Sequence, residues 1–227
     1  MLQLKQFVFV IIVAFVALGI SAGQTIAEED FSKPDELVLK SEAVFKSFKA
    51  DPQMDWFRDN VSKAKGIFIV PRMLRGGFFI GGSGGSGALL AKNRETGKWS
   101  YPAFYTMGSV SFGLQIGGDV SEIILLVMTD KGIDAMLSNE FKLGGDVAMA
   151  AGPVGAGAKA QTADILAYGS AKGAYVGISL EGAVVSPRYK WNNTYYGKEV
   201  TLVDILINQT ESNPQADNLR DALPATK

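Results

Sequence analysis

Ser111–Met128 reads SFGLQIGGDVSEIILLVM, and two β patterns meet inside it. Phe112, Leu114 and Ile116 alternate with Ser111, Gly113 and Gln115, the period of two expected of a strand with one buried face. Ile123 to Met128 is an unbroken apolar run of strand length, too short to cross a bilayer as a helix. Alternation returns at Val176, Ile178 and Leu180 against Gly177, Ser179 and Glu181. Upstream, Ile67–Val70 reads as a short strand closed by Pro71. Asn93–Lys98 reads as a hairpin tip, with Trp99 and Tyr101 opening the next strand. Of 26 glycines, 22 fall between Gly76 and Gly182, where they mark bulges, curvature or close backbone approach.

Helices flank this centre. Ser32 with Asp35, and Pro34 in the first turn, open a helix whose Leu37, Val38, Val44, Phe45 and Phe48 share one face. A second helix is expected over Asp55–Lys65, stopped by Gly66, and a third over Thr129–Leu137, capped by Thr129 or Asp130. The expected fold is therefore α+β: a strongly curved antiparallel β-sheet or barrel-like core, with N-terminal helices and short flanking helices.

Residues 1–23 read as a secretory signal. Lys5 precedes 14 uncharged residues, Phe7–Ile20, followed by Ser21, Ala22 and Gly23, with cleavage expected near Ala22 or Gly23. That places the mature protein in the periplasm or outside the cell. The domain is expected over 31–210, and the polar stretch 211–227 reads as a disordered tail.

The 227 residues include no His and no Cys, which excludes a Ser-His-Asp triad, a Cys nucleophile and an ordinary zinc site. With 22 Lys and Arg against 23 Asp and Glu, the net charge of −1 argues against nucleic acid as a partner. No Asp-rich calcium loop is present, so neither metal nor cofactor is expected. Gly82-Ser-Gly-Gly-Ser-Gly87 fits G-x-G-x-x-G formally, yet it leads into a hairpin with no acid about 20 positions on; a flexible turn or bulge is the better reading. Carboxylate chemistry stays open through Asp119, Glu122, Asp130, Asp134, Asp146 and Glu181, although solvated turns and helix caps are the better reading of them.

Charge patterning says more. From Asn60 to Arg94 there is no acid, while Lys63, Lys65, Arg72, Arg75, Lys92 and Arg94 are interleaved with Phe68, Met73, Leu74, Phe78 and Phe79. Basic residues among apolar ones suit an anionic lipid surface, each contributing about 1 kcal/mol near the headgroups. The same charges also fit scattered partners elsewhere in the fold.

Five ordered motifs then carry a resemblance. They are Trp99-Ser-Tyr-Pro-Ala103, Gly113-Leu-Gln-Ile-Gly117, Gly144-Gly-Asp-Val-Ala-Met-Ala-Ala-Gly-Pro-Val-Gly155, Ser170-Ala-Lys-Gly-Ala-Tyr-Val-Gly-Ile-Ser-Leu-Glu-Gly182 and Asn193-Thr-Tyr-Tyr-Gly197. Over roughly Leu37 to Asn208 the chain resembles the SYLF domain family, also called the yeast actin-patch or DUF500 family. The resemblance implies phospholipid binding without catalysis: eukaryotic members bind phosphoinositides and couple membranes to actin, and exported single-domain bacterial members are described as lipid-binding. Two features depart from the family. Ala156 and Gly157 follow Gly155 where a basic residue is common, Lys159 being the nearest. The first helix carries Glu36 and Glu42 beside Lys40, Lys46 and Lys49, which suits core packing of Val44, Phe45 and Phe48 better than entry into an anionic membrane.

The sequence thus points to an exported, non-enzymatic protein peripherally bound to anionic phospholipid at the cell envelope. Lys63, Lys65, Arg72, Arg75, Lys172 and Arg188 are the candidate headgroup contacts. An envelope interaction module with an unknown protein partner is the alternative, and a carboxylate-based glycan hydrolase a third.

Overall fold

Ile123, Ile124, Leu125, Leu126 and Val127 are all fully buried, so the strand that holds them is covered on both faces. Such strands read as continuous apolar runs, and this one organises the fold. The computed structural model describes residues 34–77, 80–112, 117–151, 162–171, 174–175 and 180–224. Among them the strands are β1 Gly66–Gly77, β2 Ile80–Ala91, β3 Ala103–Phe112, β4 Gly117–Val127, β5 Phe141–Lys142, β6 Met149–Ala151, β7 Ile165–Ala171, β8 Ala174–Tyr175 and β9 Val184–Pro187. They form one sheet in the order β5-β9-β3-β2-β1-β4-β7-β6, with β8 also on β7. The described pairs are antiparallel except β6 with β7. The sheet curls into a half-barrel, as the glycine distribution anticipated.

The helices are α1 Pro34–Ala50, α2 Asp55–Val61, α3 Asp130–Met136, α4 Tyr189–Tyr196 and α5 Asp217–Ala222. Short turns of 3-10 helix precede α2 and α5, and a π-helical turn spans Asp204–Asn208. Two cores lie on opposite faces of the sheet. Phe68, Tyr105, Ile123, Leu125 and Val127 enter the first, under Ile133 and Met136 of α3 and Ile205 and Leu206 of the π turn. Ile67, Ile69, Ile124 and Leu126 enter the second with Val44, Phe45 and Phe48 of α1, the packing use expected for that helix. Phe57 of α2 meets Phe45, Phe48 and Tyr168 edge-on, with ring centroids 5.9, 5.8 and 5.2 Å apart, a geometry favoured by the ring quadrupoles.

The structure corrects several local expectations. β1 does not close at Pro71: it continues to Gly77 across a bulge between Val70 and Met73, one of the few places where a strand tolerates proline. Gly82–Gly87 is no flexible turn but part of β2, in unbroken register with β3. On its β1 side the register shifts between Ile69 and Leu74, so the bulge half of the expectation holds. Its glycines admit close neighbours. A Cβ on Gly85 would sit 2.6 Å from the Arg72 carbonyl and 2.7 Å from Val70 Cγ1, and one on Gly87 would sit 2.6 Å from the Ile69 carbonyl and 2.7 Å from Phe68 Cζ. The second helix stops at Val61 rather than Lys65.

The expected disordered tail is ordered over 211–224. Pro214–Ala216 and α5 pack Ala216, Leu219 and Leu223 into the second core. The polar residues around them hid three apolar anchors. The expected signal at 1–23 and the alternating residues 113–116 and 176–179 lie outside the described residues.

Candidate functional site

Where the α2–β1 corner meets the β2–β3 hairpin, the start of α3 and the π turn, a cavity of about 1070 Å³ opens. Lys63 and Lys65 reach it from the corner, Lys92 and Arg94 from the hairpin, so four cations of the acid-free stretch converge. Its apolar lining comes from Ala64, Ala91, Ile133, Leu137, Leu206 and Ile207.

Each wall has a local cause. Asn93 Oδ1 accepts the amides of Glu95 and Thr96 at 2.9 and 2.8 Å, which builds the hairpin tip and aims Arg94 outward. Thr129 caps α3, its Oγ1 accepting the Gly132 amide at 3.1 Å. The π turn ends at Gln209, whose φ of +52° is rare for a residue other than glycine. The Gln209 side chain donates to the carbonyls of Ala91 and Lys98 at 3.3 and 3.4 Å, tying the turn to the hairpin and holding Leu206 and Ile207 at the cavity. π turns often accompany functional sites.

Asp130 bridges the cations. Its Oδ2 lies 2.7 Å from Lys65 Nζ and its Oδ1 2.7 Å from Arg94 Nη2. The hydrogen bond from Lys65, helped by the charges of Lys65 and Arg94, holds the Asp130 carboxyl below the usual carboxylate range. Lys92 donates to the Ser62 carbonyl at 2.8 Å and lies 4.8 Å from the Trp99 ring centroid, and its burial lowers its pKa. Lys63 is exposed and has no ion-pair partner among the described residues. Glu95 and Asp134 also line the cavity, offsetting part of the positive charge.

Of the expected headgroup contacts, then, Lys63 and Lys65 come together here. Arg72 lies at the β1 bulge and Arg75 farther along β1, opposite Asp119 of β4 and Ser83 of β2. Arg188 is engaged elsewhere: its Nη1 donates to Ser86 Oγ at 2.7 Å and its guanidinium stacks 3.7 Å from the Trp191 ring centroid, the burial lowering its pKa. Lys172 and Lys159 lie outside the described residues. Lys92 and Arg94 were visible in the acid-free stretch but not singled out; Leu206 and Ile207 gave no such signal.

The six candidate acids are spread over the fold. Asp119 and Glu122 are on β4, Asp146 accepts the Lys142 amide at 2.7 Å in a turn, and Glu181 lies before β9. Only Asp130 and Asp134 line the cavity, and Asp130 is held as an ionised bridge, unsuited to donating a proton. No group of acids among the described residues has the arrangement of a metal site.

The described motif residues build scaffold. Tyr196 Oη donates to the Pro102 carbonyl at 2.8 Å, Asn193 Oδ1 accepts the Val200 amide at 3.1 Å, and Gly144 turns with φ +78°. A family model described as "Ysc84: Las17-binding protein actin regulator" matches residues 108–226. The chain belongs to the Ysc84 (SYLF) family. Relatives outside this chain include the human SH3 domain-containing YSC84-like protein 1, 30% identical over 169 residues, which covers 72% of this chain and 49% of the human protein. LAS seventeen-binding protein 3 of Saccharomyces cerevisiae is 30% identical over 171 residues, 71% of this chain and 36% of the yeast protein. Protein YSC84 of the same yeast is 30% identical over 169 residues, with 70% and 35% covered. The chain thus spans about half the length of the human relative and about a third of the yeast ones. The family model is named as a binding protein and regulator, and LAS seventeen-binding protein 3 as a binding protein.

Proposed function

We propose that this Ysc84-family protein is an exported, non-enzymatic binding protein that engages anionic phospholipid at a membrane surface. The observation that carries the reading is the cavity rim, where Lys63, Lys65, Lys92 and Arg94 stand beside an apolar lining. Cations supply attraction to a headgroup and the lining supplies shallow apolar contact. The apolar run Phe7–Ile20 behind Lys5 supports export. No helix among the described residues is long and apolar enough to cross a membrane, in keeping with peripheral contact.

Co-sedimentation with vesicles tests this. Pelleting is expected to rise with the fraction of phosphatidylglycerol in phosphatidylcholine, and to fall as salt goes from 0.1 to 1 M and the Debye length shrinks from about 10 to 3 Å. Replacing Lys63, Lys65 and Arg94 together by Gln is expected to weaken vesicle binding by more than tenfold. Equal pelleting with neutral and anionic vesicles overturns the electrostatic reading.

A protein partner is the second reading. Among the described residues, β9 covers β3 over Tyr105–Gly108, and beyond that stretch Val110 is 71% exposed. Open edges accept an added strand, and one yeast relative is named LAS seventeen-binding protein 3. Capture of one stoichiometric protein by wild type, lost in Val110→Pro, would favour it.

A further inference from the structure

The geometry points to the cavity as a site for a single-chain amphiphilic anion, one acidic head on one acyl chain, taken up as a discrete molecule. This rests on the lipid reading above and narrows it to one place and one ligand class.

A flat bilayer needs only a surface, but this site is a cleft partly open to solvent. Its volume of about 1070 Å³ lies at the upper end of small-molecule pockets, which run from about 300 to 1,000 Å³. Charge and apolarity are also divided within it. The ammonium and guanidinium groups come from the corner and the hairpin, while Leu137 at the end of α3 and Ile207 of the π turn supply the accessible apolar surface. Ile133 and Leu206 are buried behind them, and Asp130 and Asp134 stand on the same α3 wall. Ile207 is 41% exposed, an apolar side chain left in water at the cavity wall. An inorganic anion would leave Ile207 uncovered, and a neutral lipid would leave Lys63, which has no ion-pair partner among the described residues, without a counter-charge. One acyl chain with one acidic head satisfies both.

Asp130 is the competitor already in place. It spans Lys65 and Arg94, 2.7 Å from each, and so occupies the donors that an acidic head would use. Entry of the head requires these two cations to be shared with it or released by Asp130. The consequence has a definite sign: removing the Asp130 charge strengthens ligand binding, whereas loss of a merely structural bridge would weaken it.

Titration calorimetry of the protein with lauroyl-lysophosphatidate below its micelle concentration tests the inference. Dodecyl maltoside serves as chain without charge, and glycerol phosphate as charge without chain. One molecule of lysophosphatidate per protein is expected, with both controls at least tenfold weaker. Ile207→Asp and Arg94→Gln, both at exposed positions, are expected to weaken binding at least tenfold, and Asp130→Asn to tighten it about threefold. Glycerol phosphate or dodecyl maltoside binding as well as lysophosphatidate overturns the inference, as does weaker binding in Asp130→Asn. Vesicle pelleting run in parallel separates the two readings. Salt-sensitive pelleting without lysophosphatidate uptake overturns the cavity site alone; loss of both overturns the lipid reading as well.

Discussion

Thr129 donates its hydroxyl to Asp164 Oδ1 at 2.6 Å while the same oxygen accepts the Gly132 amide, so the cap of α3 is fastened to the residue preceding β7. Asp164 Oδ2 also accepts the Ala148 amide at 2.9 Å and lies 3.4 Å from Lys131 Nζ. One nearly buried carboxylate therefore joins α3, the entry to β7 and the segment leading to β6, and it fixes the position of one cavity wall.

Burial alone pushes the Asp164 carboxyl up, but the hydrogen bonds from Thr129 and Ala148 and the charge of Lys131 outweigh it and leave the pKa lowered. A carboxyl more acidic in the folded state stabilises the fold above its unfolded pKa of about 3.9, and that contribution is lost as pH falls through the folded value. Asp164→Ala is expected to cost about 2 kcal/mol at neutral pH. In urea titrations, the difference between wild type and Asp164→Asn should shrink below about pH 4. A difference that stays constant down to pH 2 would remove the charge from the explanation.

Gly87 faces the Phe68 ring and Gly76 faces open space, although both lie in the glycine-rich strands. Gly87→Ala is expected to destabilise by about 2–3 kcal/mol, because a buried ring and a strand backbone must shift. Gly76→Ala should stay within about 0.5 kcal/mol of wild type. Thermal unfolding of the pair separates glycine needed for space from glycine that is incidental.

How much was legible follows from these contrasts. The apolar run Ile123–Met128 was of strand length, and helical spacing placed Val44, Phe45 and Phe48 in a core, because burial leaves a mark on the sequence. The bulge at Pro71 was missed because proline at a strand end and proline at a bulge look alike until the partner strand is known. The cavity was legible by half. Lys63 and Lys65 belong to a charge pattern, whereas Asp130 and Ile207 join them only through pairings about 65 and 140 residues distant in sequence.

Arg94 and Asp130 pair in solvent, with side-chain exposures of 68% and 47%, so their contact orders the hairpin tip without carrying the fold. Arg94→Gln is expected to leave the thermal midpoint at the wild-type value while amide exchange speeds up at Thr96 and Gly97. A clear fall in the midpoint would show that the bridge supports the core.

The C-terminal helix tests how much of the core a polar stretch supplies. Trp99 Nε1 donates to the Pro224 carbonyl at 2.9 Å, Arg220 donates to the Trp99 carbonyl at 3.2 and 2.9 Å, and the Arg220 guanidinium lies 3.9 Å from the Tyr101 ring centroid. Beneath these contacts, Leu219 and Leu223 are buried beside Val38 and Phe104. Removing residues 211–227 uncovers two leucine sites worth about 1.5–3 kcal/mol each and also strips the partners from Trp99. The truncated chain is expected to lose at least about 3 kcal/mol, and to be cut by protease under conditions where the full chain survives. Arg220→Ala keeps the leucines and should lose less than half as much. If the truncation unfolds at the same denaturant concentration as the full chain, the helix is an appendage and the second core is complete without it.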